Sequence, residues 1–439
     1  MAESAAAQAV AEPDWLTERR RAGAALAEEL GLPSQKTKGW EFTDLSSLIE
    51  ADFEVPAEAD PAVRERADAV LNLPGDDAPR VVQIDQTVLD GAAPQAVGAA
   101  PSEPVVTTLA RAAELYPELV RERLGALVAS DDPFVARNDA AWRGGAFVYL
   151  PAGSRLEAPV QIEAIHDAQE AALGFRTLIV LEEGAQAEVW EQWLATDHER
   201  AGLFNTVAEV WVGPGANLRY VTAQGLGERS WVFATQRAEV ERDASFDWVA
   251  LGFGSSRGKV RMETRLAGPG SSARVTGAYA GNGTQHLDFD TTQEHAAPNT
   301  TSDLAFRGVL EESATAVWRG MIRVDPGAQQ TDAFQESRNL LLSKSAHADA
   351  IPGLEIEAND VRCTHAAAVA QIDAEQLHYL RSHGLPDEQA KRLIIEGFLE
   401  ALVERLEEGP VKAAVSIALE RRLGEILGER QVRATPGTR

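Results

Sequence analysis

The sequence is poor in cysteine, in positive charge and in long apolar runs, and each shortage excludes a class of protein. Cys363 is the only cysteine among 439 residues, so the chain holds no internal disulfide, no Cys-X-X-Cys zinc site and no iron–sulfur cluster bound by its thiolates alone. Lysine and arginine total 41 against 68 acidic residues, and the net charge of −27 disfavours binding to nucleic acid or anionic lipid. No run of 18 apolar residues predicts a membrane span, and the N-terminus lacks the basic region of a signal peptide, so we expect a cytoplasmic protein.

Several familiar motifs are also missing. There is no GxxxxGK[ST] segment, so the chain is not itself a P-loop ATPase, and there is no GxSxG, HExxH or EF-hand loop. What is present is a mixture of 44% hydrophobic and 25% charged residues, which is typical of a globular protein with a sizeable core. The length alone predicts about three domains, or one repetitive domain with flanking caps.

The chain divides into three regions by pattern. Residues 1–140 form a mainly helical region, with helical periodicity over 14–31 and 105–130 and a strand and turn over 80–92. Residues 141–372 consist of short segments in which apolar and polar residues alternate, the pattern of strands with one buried face. Residues 373–439 return to helical periodicity and form a C-terminal helical domain.

The middle region contains a loose repeat. Similar turns, in which a small residue follows Gly or Asp before a new alternating run, recur every 27 to 31 residues, at Gly153, Gly184, Gly215, Asp243 and Gly270. A repeat of this length made of strands alone indicates a β-solenoid, in which each turn buries its face against the next. A β-sandwich is the alternative that the pattern leaves open.

The C-terminal region predicts three helices. Asp373 can cap the first, Gly384 ends it, and Pro386 opens the second. This second helix has two apolar strips, one including Leu393 and Phe398 and the other running along its far side. Such a helix is either enclosed in a core or docks a partner as well.

Two groups of residues could bind a metal ion. His286 and His295 lie among carboxylates, but their spacing places them on opposite faces of a continuous strand, so an ordinary polar face is the simpler interpretation. Cys363 and His365 are two residues apart on a predicted strand and project from the same face. Two ligands do not complete a site, so this pair needs ligands from another chain or has a structural role. The pair could also belong to a Cys–His hydrolase, but no third residue of the sequence is placed to orient the histidine.

The segment around this pair resembles a known family. Residues 312–373, which include CTHAAAV at 363–369, and the helical residues that follow are similar to the SufB/SufD family of iron–sulfur cluster assembly proteins. GWEFTDL at 39–45 resembles a weaker element of the same family. The position of His365 two residues after Cys363 is closer to the SufD branch than to the SufB branch.

The resemblance implies a fold and a function. The fold would be mainly β, a right-handed parallel β-helix between an N-terminal helical region and a C-terminal helical domain. The chain would be a non-catalytic scaffold subunit that pairs through strands near 340–369 with a SufB-like paralogue. His365 would contribute to a cluster-forming site between the two subunits, with Cys363 as a weaker candidate ligand. The cluster would be transient, and a flavin is neither implied nor excluded.

The resemblance also implies an ATPase partner. The C-terminal helices would dock a dimer of a SufC-like ABC ATPase, which would supply the ATP hydrolysis that this chain lacks. The residues assigned to this docking are Leu377, Tyr379, Leu380, Leu393 and Phe398. Two other functions remain as alternatives, a solenoid enzyme acting on polysaccharide and a plain interaction module. In isolation the chain could pair with itself as a homodimer.

Overall fold

The computed structural model describes residues 12–49, 53–56, 63–71, 78–91 and 101–427. Within these residues the chain forms a β-solenoid flanked by helices on both sides, which is the mainly β fold class that the sequence predicted. Both chain termini lie outside the described residues.

The N-terminal region mixes helices and strands. The helix predicted over 105–130 is wrong at its start, because the β-branched run Val105–Thr108 is a buried strand that pairs antiparallel with the first strand of the solenoid. Thr108 then caps the next helix by accepting a hydrogen bond from the Arg111 N–H. The elements are α1 (Asp14–Leu30), α2 (Ser46–Ile49), α3 (Val63–Val70), β1 (Arg80–Ile84), β2 (Thr87–Gly91), β3 (Val105–Thr108), α4 (Leu109–Leu115), α5 (Pro117–Arg123) and α6 (Pro133–Ala141).

The solenoid is built from sixteen consecutive strands. They are β4 (Ala146–Leu150), β5 (Val160–His166), β6 (Ala171–Leu181), β7 (Gln186–Ala195), β8 (Gly202–Val212), β9 (Asn217–Gly225), β10 (Trp231–Val240), β11 (Ser245–Gly252), β12 (Arg257–Leu266), β13 (Ser272–Gly281), β14 (His286–His295), β15 (Thr301–Leu310), β16 (Thr315–Val324), β17 (Thr331–Leu341), β18 (His347–Ile356) and β19 (Val361–Gln371). Successive strands alternate between two sheets, and each pairs in parallel with the strand two further along the chain. The result is a solenoid of about 8 turns.

Residues at equivalent positions of successive turns stack into columns inside the solenoid. Because the pairing keeps its register from turn to turn, a column can be followed to the last strand. One interior column consists of Val160, Val189, Tyr220, Trp248, Val275, Leu304, Gln335 and His365. The first six are buried apolar or aromatic side chains, and the last two are polar.

The five turns that the sequence predicted as a repeat share one backbone conformation. Gly153, Gly184, Gly215, Asp243 and Gly270 all have φ between 58° and 75°, in the left-handed region that glycine and aspartate tolerate best. In each of them the backbone N–H donates to a carbonyl of the following turn. These turns therefore form a ladder of their own along one corner of the solenoid.

The GWEFTDL segment at residues 39–45 connects the N-terminal region to the solenoid through buried contacts. The ring of Trp40 stacks on that of Phe134 at 5.2 Å between centroids. The hydroxyl of Thr43 donates to a carboxylate oxygen of Asp288 at 2.6 Å, and the ammonium of Lys259 binds both oxygens of that carboxylate at 2.9 Å. All three of these side chains are buried, so the segment fixes the N-terminal region against the outer face of one sheet.

The C-terminal region forms three helices, α7 (Ala374–Ser382), α8 (Asp387–Val403) and α9 (Pro410–Ile426). The predicted cap is confirmed, because the Asp373 side chain accepts a hydrogen bond from the Glu375 N–H at 2.8 Å. Helices α8 and α9 pack their apolar sides on the outer face of the sheet that contains the odd-numbered solenoid strands. Helix α7 has no buried residue. Among the described residues, no helix is both long enough and apolar enough to cross a membrane.

Candidate functional site

The solenoid ends in two strands that each have a neighbour on one side only. β18 pairs with β16 and β19 pairs with β17, and in the described part of the chain no strand pairs with the far edge of either. We call β18 and β19 together the open end. The unpaired N–H and C=O groups of such an edge can accept a strand from another chain. The open end is therefore a sheet edge ready for extension.

Apolar side chains that would be covered in earlier turns are exposed at the open end. Leu354 and Ile356 continue the columns of Ile322 and Val324, which are fully buried, yet they are 38% and 41% exposed. Val369 on β19 is 43% exposed. Because these positions face the interior of the solenoid, another turn or another molecule stacked on the open end would cover them.

His365 lies at the centre of β19 and is exposed. His365 pairs in register with Gln335 on β17 and is the next residue of the same interior column. The imidazole therefore lies above the turn that contains β17. It makes no hydrogen bond to any part of the chain that the structure describes. An exposed, unengaged imidazole can serve as a nitrogen ligand to a metal ion.

Cys363 follows Ala333 in the neighbouring interior column, so it shares a face with His365, as their spacing in the sequence predicted. The thiol is half-buried and packs with Val361 against a small apolar cluster that includes Ile322. Burial, together with the negative charge of Asp332, raises the pKa of Cys363 above its ordinary value. Because the thiolate is the metal-binding form, a raised pKa leaves less of Cys363 in that form at neutral pH.

The histidines of β14 do not form a site together. His295 is fully buried inside the solenoid, where its two ring nitrogens lie 2.8 Å from the hydroxyls of Thr300 and Ser302. His286 lies on the opposite face of the strand and contacts the hydroxyl of Thr315. Among the described residues, no group of three or more His, Cys, Asp or Glu side chains could hold a metal ion.

Gln335, the residue beneath His365 in its column, could not be identified as a candidate from the sequence. Gln335 is fully buried, and its side-chain N–H group donates to the carbonyls of Gly320 and Gly353, each at 3.2 Å. Its carboxamide oxygen has no hydrogen-bond partner in the described structure. The only signal available would have been the spacing of thirty residues to His365, which matches the length of the repeat.

The helical residues assigned to docking are split between two environments. Tyr379 on α7 and Leu393 on α8 are 61% and 51% exposed. Leu377, Leu380 and Phe398 are half-buried, and the Phe398 ring faces the guanidinium of Arg307 at 5.7 Å. Ile417 on α9, which the sequence analysis missed, is 61% exposed.

The strip of α8 that contains Leu393 also includes exposed Gly397 and Ala401, at spacings of four residues, and the opposite strip is buried. Helices α8 and α9 therefore pack on the solenoid through one side and leave apolar surface uncovered on the other.

Two family models match the chain. The family model described as "SUF system FeS cluster assembly, SufBD core domain" matches residues 164–398, and that of the SufBD N-terminal region matches residues 3–162. The chain belongs to the SufB/SufD family of iron–sulfur cluster assembly proteins. The core match contains the whole open end and most of α8.

Curated relatives include both branches of the SufB/SufD family. The chain is 31% identical over 424 residues to the iron–sulfur cluster assembly protein SufD of Bacillus subtilis, covering 92% of this chain and 94% of that protein. It is 29% identical over 289 residues to SufB of the same organism, covering 66% of this chain and 61% of SufB. It is 30% identical to a SufBD family protein of Staphylococcus epidermidis, covering 68% of this chain and 64% of that protein. Of these three alignments, the one to SufD extends over nearly the whole length of both chains.

Proposed function

We propose that this chain is a scaffold subunit of an iron–sulfur cluster assembly complex and that it pairs through its open end with a SufB-like paralogue. The observation that carries the proposal is the open end itself, where two unpaired strand edges and exposed apolar side chains surround His365. A second β-solenoid presenting the same kind of edge would continue both sheets and cover Leu354, Ile356 and Val369.

The cluster-forming site lies between the two subunits. A cluster requires about four soft ligands, and the open end offers one imidazole and one thiol with a raised pKa. His365 is the leading contribution of this chain, and Cys363 is the weaker candidate. The remaining ligands come from the partner, so the cluster is a transient cargo shared by two chains. A site divided in this way can release its cluster when the subunits move apart.

The C-terminal helices are the docking element for a SufC-like ABC ATPase. The exposed apolar surface of α7, α8 and α9, with Tyr379, Leu393 and Ile417 at its most exposed points, has no covering element in the described structure. Leu377, Leu380 and Phe398 border this surface. Because the chain has no P-loop, any ATP hydrolysis takes place in that partner, and this subunit is non-catalytic.

The other parts of the proposal follow from the same assignment. Functionally the chain divides into an N-terminal region at 1–140, a β-helix core at 141–372 and a C-terminal docking domain at 373–439. The complex works in the cytoplasm, and the chain alone holds no permanent cofactor. A flavin is not part of the proposal. In the absence of the paralogue, the open end can pair with a second copy of this chain.

The outer face of the solenoid does not favour an enzyme acting on polysaccharide. Several of its acidic residues pair with arginine, as in the row where Asp247 lies 2.9 Å from Arg219 and 2.8 Å from Arg274. Although burial opposes it, hydrogen bonds and charge from the two arginines hold the pKa of Asp247 below its ordinary value. Such a carboxylate is neither a general acid at neutral pH nor free to act as a base.

Pull-down from native cells under anaerobic conditions tests the assembly. The unaltered chain should capture a SufB-like paralogue and a SufC-like ATPase, identified by mass spectrometry. Val369→Asp at the open end should lose the paralogue while retaining the ATPase. Val88→Asp is the matched control, because Val88 is a similarly exposed valine on β2, at the opposite end of the same sheet. Equal capture of the paralogue by both variants would contradict pairing through the open end.

A further inference from the structure

Phe42 is held at the surface between two buried residues of the GWEFTDL segment. On one side of it, the ring of Trp40 stacks on that of Phe134. On the other side, the hydroxyl of Thr43 donates to the buried carboxylate of Asp288 at 2.6 Å. Trp40 and Thr43 are buried, whereas Phe42 is 36% exposed. The two buried contacts therefore fix the backbone on both sides of an outward-facing aromatic side chain.

An arginine of the solenoid contacts the ring of Phe42 from below. The guanidinium of Arg319 on β16 lies 5.8 Å from the ring centre, within the range of a cation–π contact. Arg319 is also bound to the carboxylate of Glu41 at 3.1 Å. Hydrogen bonds from the backbone N–H groups of Glu41 and Gly39 lower the pKa of the Glu41 carboxyl to about 2, so this partner of Arg319 is charged. An exposed ring that is already held in place loses little entropy on binding, which is typical of an interface anchor.

Phe42 lies beside the open end. In the sheet that contains the even-numbered solenoid strands, Arg319 pairs in register with Ile351 on β18, so both side chains project from the same outer face. Neighbouring strands are about 4.8 Å apart, and Ile351 is 37% exposed. We call Phe42 and Ile351 together the rim patch. It continues the exposed apolar surface of the open end onto the outer face of the solenoid.

A column of alternating charge ends on the same strand of the open end. Its members, at equivalent positions of five strands, are Glu239, Arg265, Glu294, Arg323 and Glu355. Arg265 lies 3.0 Å from Glu239 and 3.2 Å from Glu294, so neighbouring members attract each other. Glu355 on β18 is exposed and has no ion pair in the part of the chain that the structure describes. The charge that continues the column beyond β18 is positive.

We propose that the rim patch anchors the edge strand of the SufB-like paralogue, and that this strand carries an apolar residue beside Ile351 and a basic residue beside Glu355. Ile351 and Glu355 are four residues apart, so they project from the same face of β18, and their counterparts on the added strand have the same spacing. Opposite side chains on adjacent strands are about 5 Å apart, which allows direct contact. The inference rests on the function proposed above and brings the GWEFTDL segment into the interface.

Hydroxyl-radical footprinting of the unaltered chain tests the proposal without any substitution. The probe is the purified paralogue obtained from the pull-down. Its binding should slow the oxidation of Phe42 to the rate of buried Phe134. Leu30 on α1, which is 38% exposed, is the internal control and should keep its rate. The ATPase alone should leave the oxidation of Phe42 unchanged.

Substitutions test the two contacts separately. Phe42→Ala should weaken binding of the paralogue by about fivefold or more, as truncation of an aromatic anchor does, whereas Phe42→Leu should keep most of the affinity. Leu30→Ala is the matched control and should bind like the unaltered chain. Glu355→Gln should slow association with the paralogue about threefold at low ionic strength and have no effect at high ionic strength, where the charge is screened.

Several results would overturn the proposal. One is unchanged oxidation of Phe42 with the paralogue bound, which decides the matter even if Phe42→Ala fails to fold. Protection of Phe42 by the ATPase, or by a second copy of this chain and not by the paralogue, is another. Unchanged association of Glu355→Gln at low ionic strength would remove the basic residue from the partner strand.

Failure of this inference can be distinguished from failure of the proposed function. If Val369→Asp loses the paralogue while Phe42→Ala binds it fully, pairing through the open end holds and the rim patch is not part of it. If Val369→Asp also binds the paralogue fully, the proposed function itself fails.

Discussion

The guanidinium of Arg176 on β6 lies 2.6 Å from a carboxylate oxygen of Asp139 on α6, and both side chains are buried. The same guanidinium donates to Glu209 on β8 at 2.6 Å. Asp139 also accepts hydrogen bonds from the Nε and Nη2 groups of a second arginine, Arg19 of α1. The N-terminal helices are thus joined to the solenoid by a buried network of charges.

Arg176→Met should destabilise the protein by about 3 kcal/mol or more, because it leaves two buried carboxylates short of a partner. The measurement is the free energy of unfolding from urea denaturation. Arg155→Met is the matched control, because Arg155 pairs with Glu157 in an ion pair whose two side chains are 63% and 82% exposed. The control should cost less than about 0.5 kcal/mol, and equal losses in the two variants would contradict the role assigned to the network.

The protein should become less stable as the pH falls, because His295 is buried in its neutral form. Burial lowers the pKa of His295 from 6.5 to about 4, so the folded state keeps the ring neutral after the unfolded state has become protonated. Stability from this group is complete above pH 6.5 and is lost progressively as the pH falls toward 4. The loss should reach about 3 kcal/mol over that window. Unfolding in urea at pH 7.5 and pH 5 should show a smaller pH dependence in His295→Gln than in the unaltered chain, and an equal dependence would refute the assignment.

Cys363 should react slowly with alkylating reagents. Because burial and Asp332 raise the pKa of the thiol, its rate of reaction with iodoacetamide should reach half of its maximum above pH 9. Free glutathione, measured in parallel, provides the reference for an unhindered thiol. A midpoint near neutral pH would show that Cys363 is an activated thiolate and would place it level with His365 as a ligand.

The exposed strip of α8 and α9 should govern the affinity for the ATPase. Leu393→Asp and Ile417→Asp should each weaken binding by about tenfold or more and change the free energy of unfolding by less than about 0.5 kcal/mol. Leu30→Asp is a suitable control, since Leu30 is an exposed leucine on α1, 38% accessible and outside the C-terminal helices. Binding can be measured by titration calorimetry with the purified ATPase, and unchanged affinity in both variants would contradict this docking surface.

The solenoid could be predicted because its turns depend on local chemistry. Gly153, Gly184 and Asp243 take a left-handed conformation that few residues tolerate, and their spacing shows directly in the sequence. The cap of α7 by Asp373 could be predicted for the same reason, since it too depends on local chemistry.

Other features could not be predicted, because they join distant segments. Asp139, Arg176 and Glu209 meet only after an N-terminal helix has packed on two strands of the solenoid. The unpaired oxygen of Gln335 depends on the register between turns thirty residues apart. On α8 both apolar strips were visible in the sequence, but only packing on the solenoid decides that Ile395 is buried and Leu393 exposed.

In the proposed function, His365 contributes to a cluster-forming site at the open end. The most direct measurement is the iron and acid-labile sulfide bound by the purified complex after anaerobic reconstitution, comparing His365→Ala with His347→Ala. His347 is the matched control, because it is an exposed histidine on β18, the other strand of the open end. We expect intact assembly with the partners for both variants and a loss of about tenfold or more in bound cluster for His365→Ala alone. Equal cluster content in the two variants would contradict it.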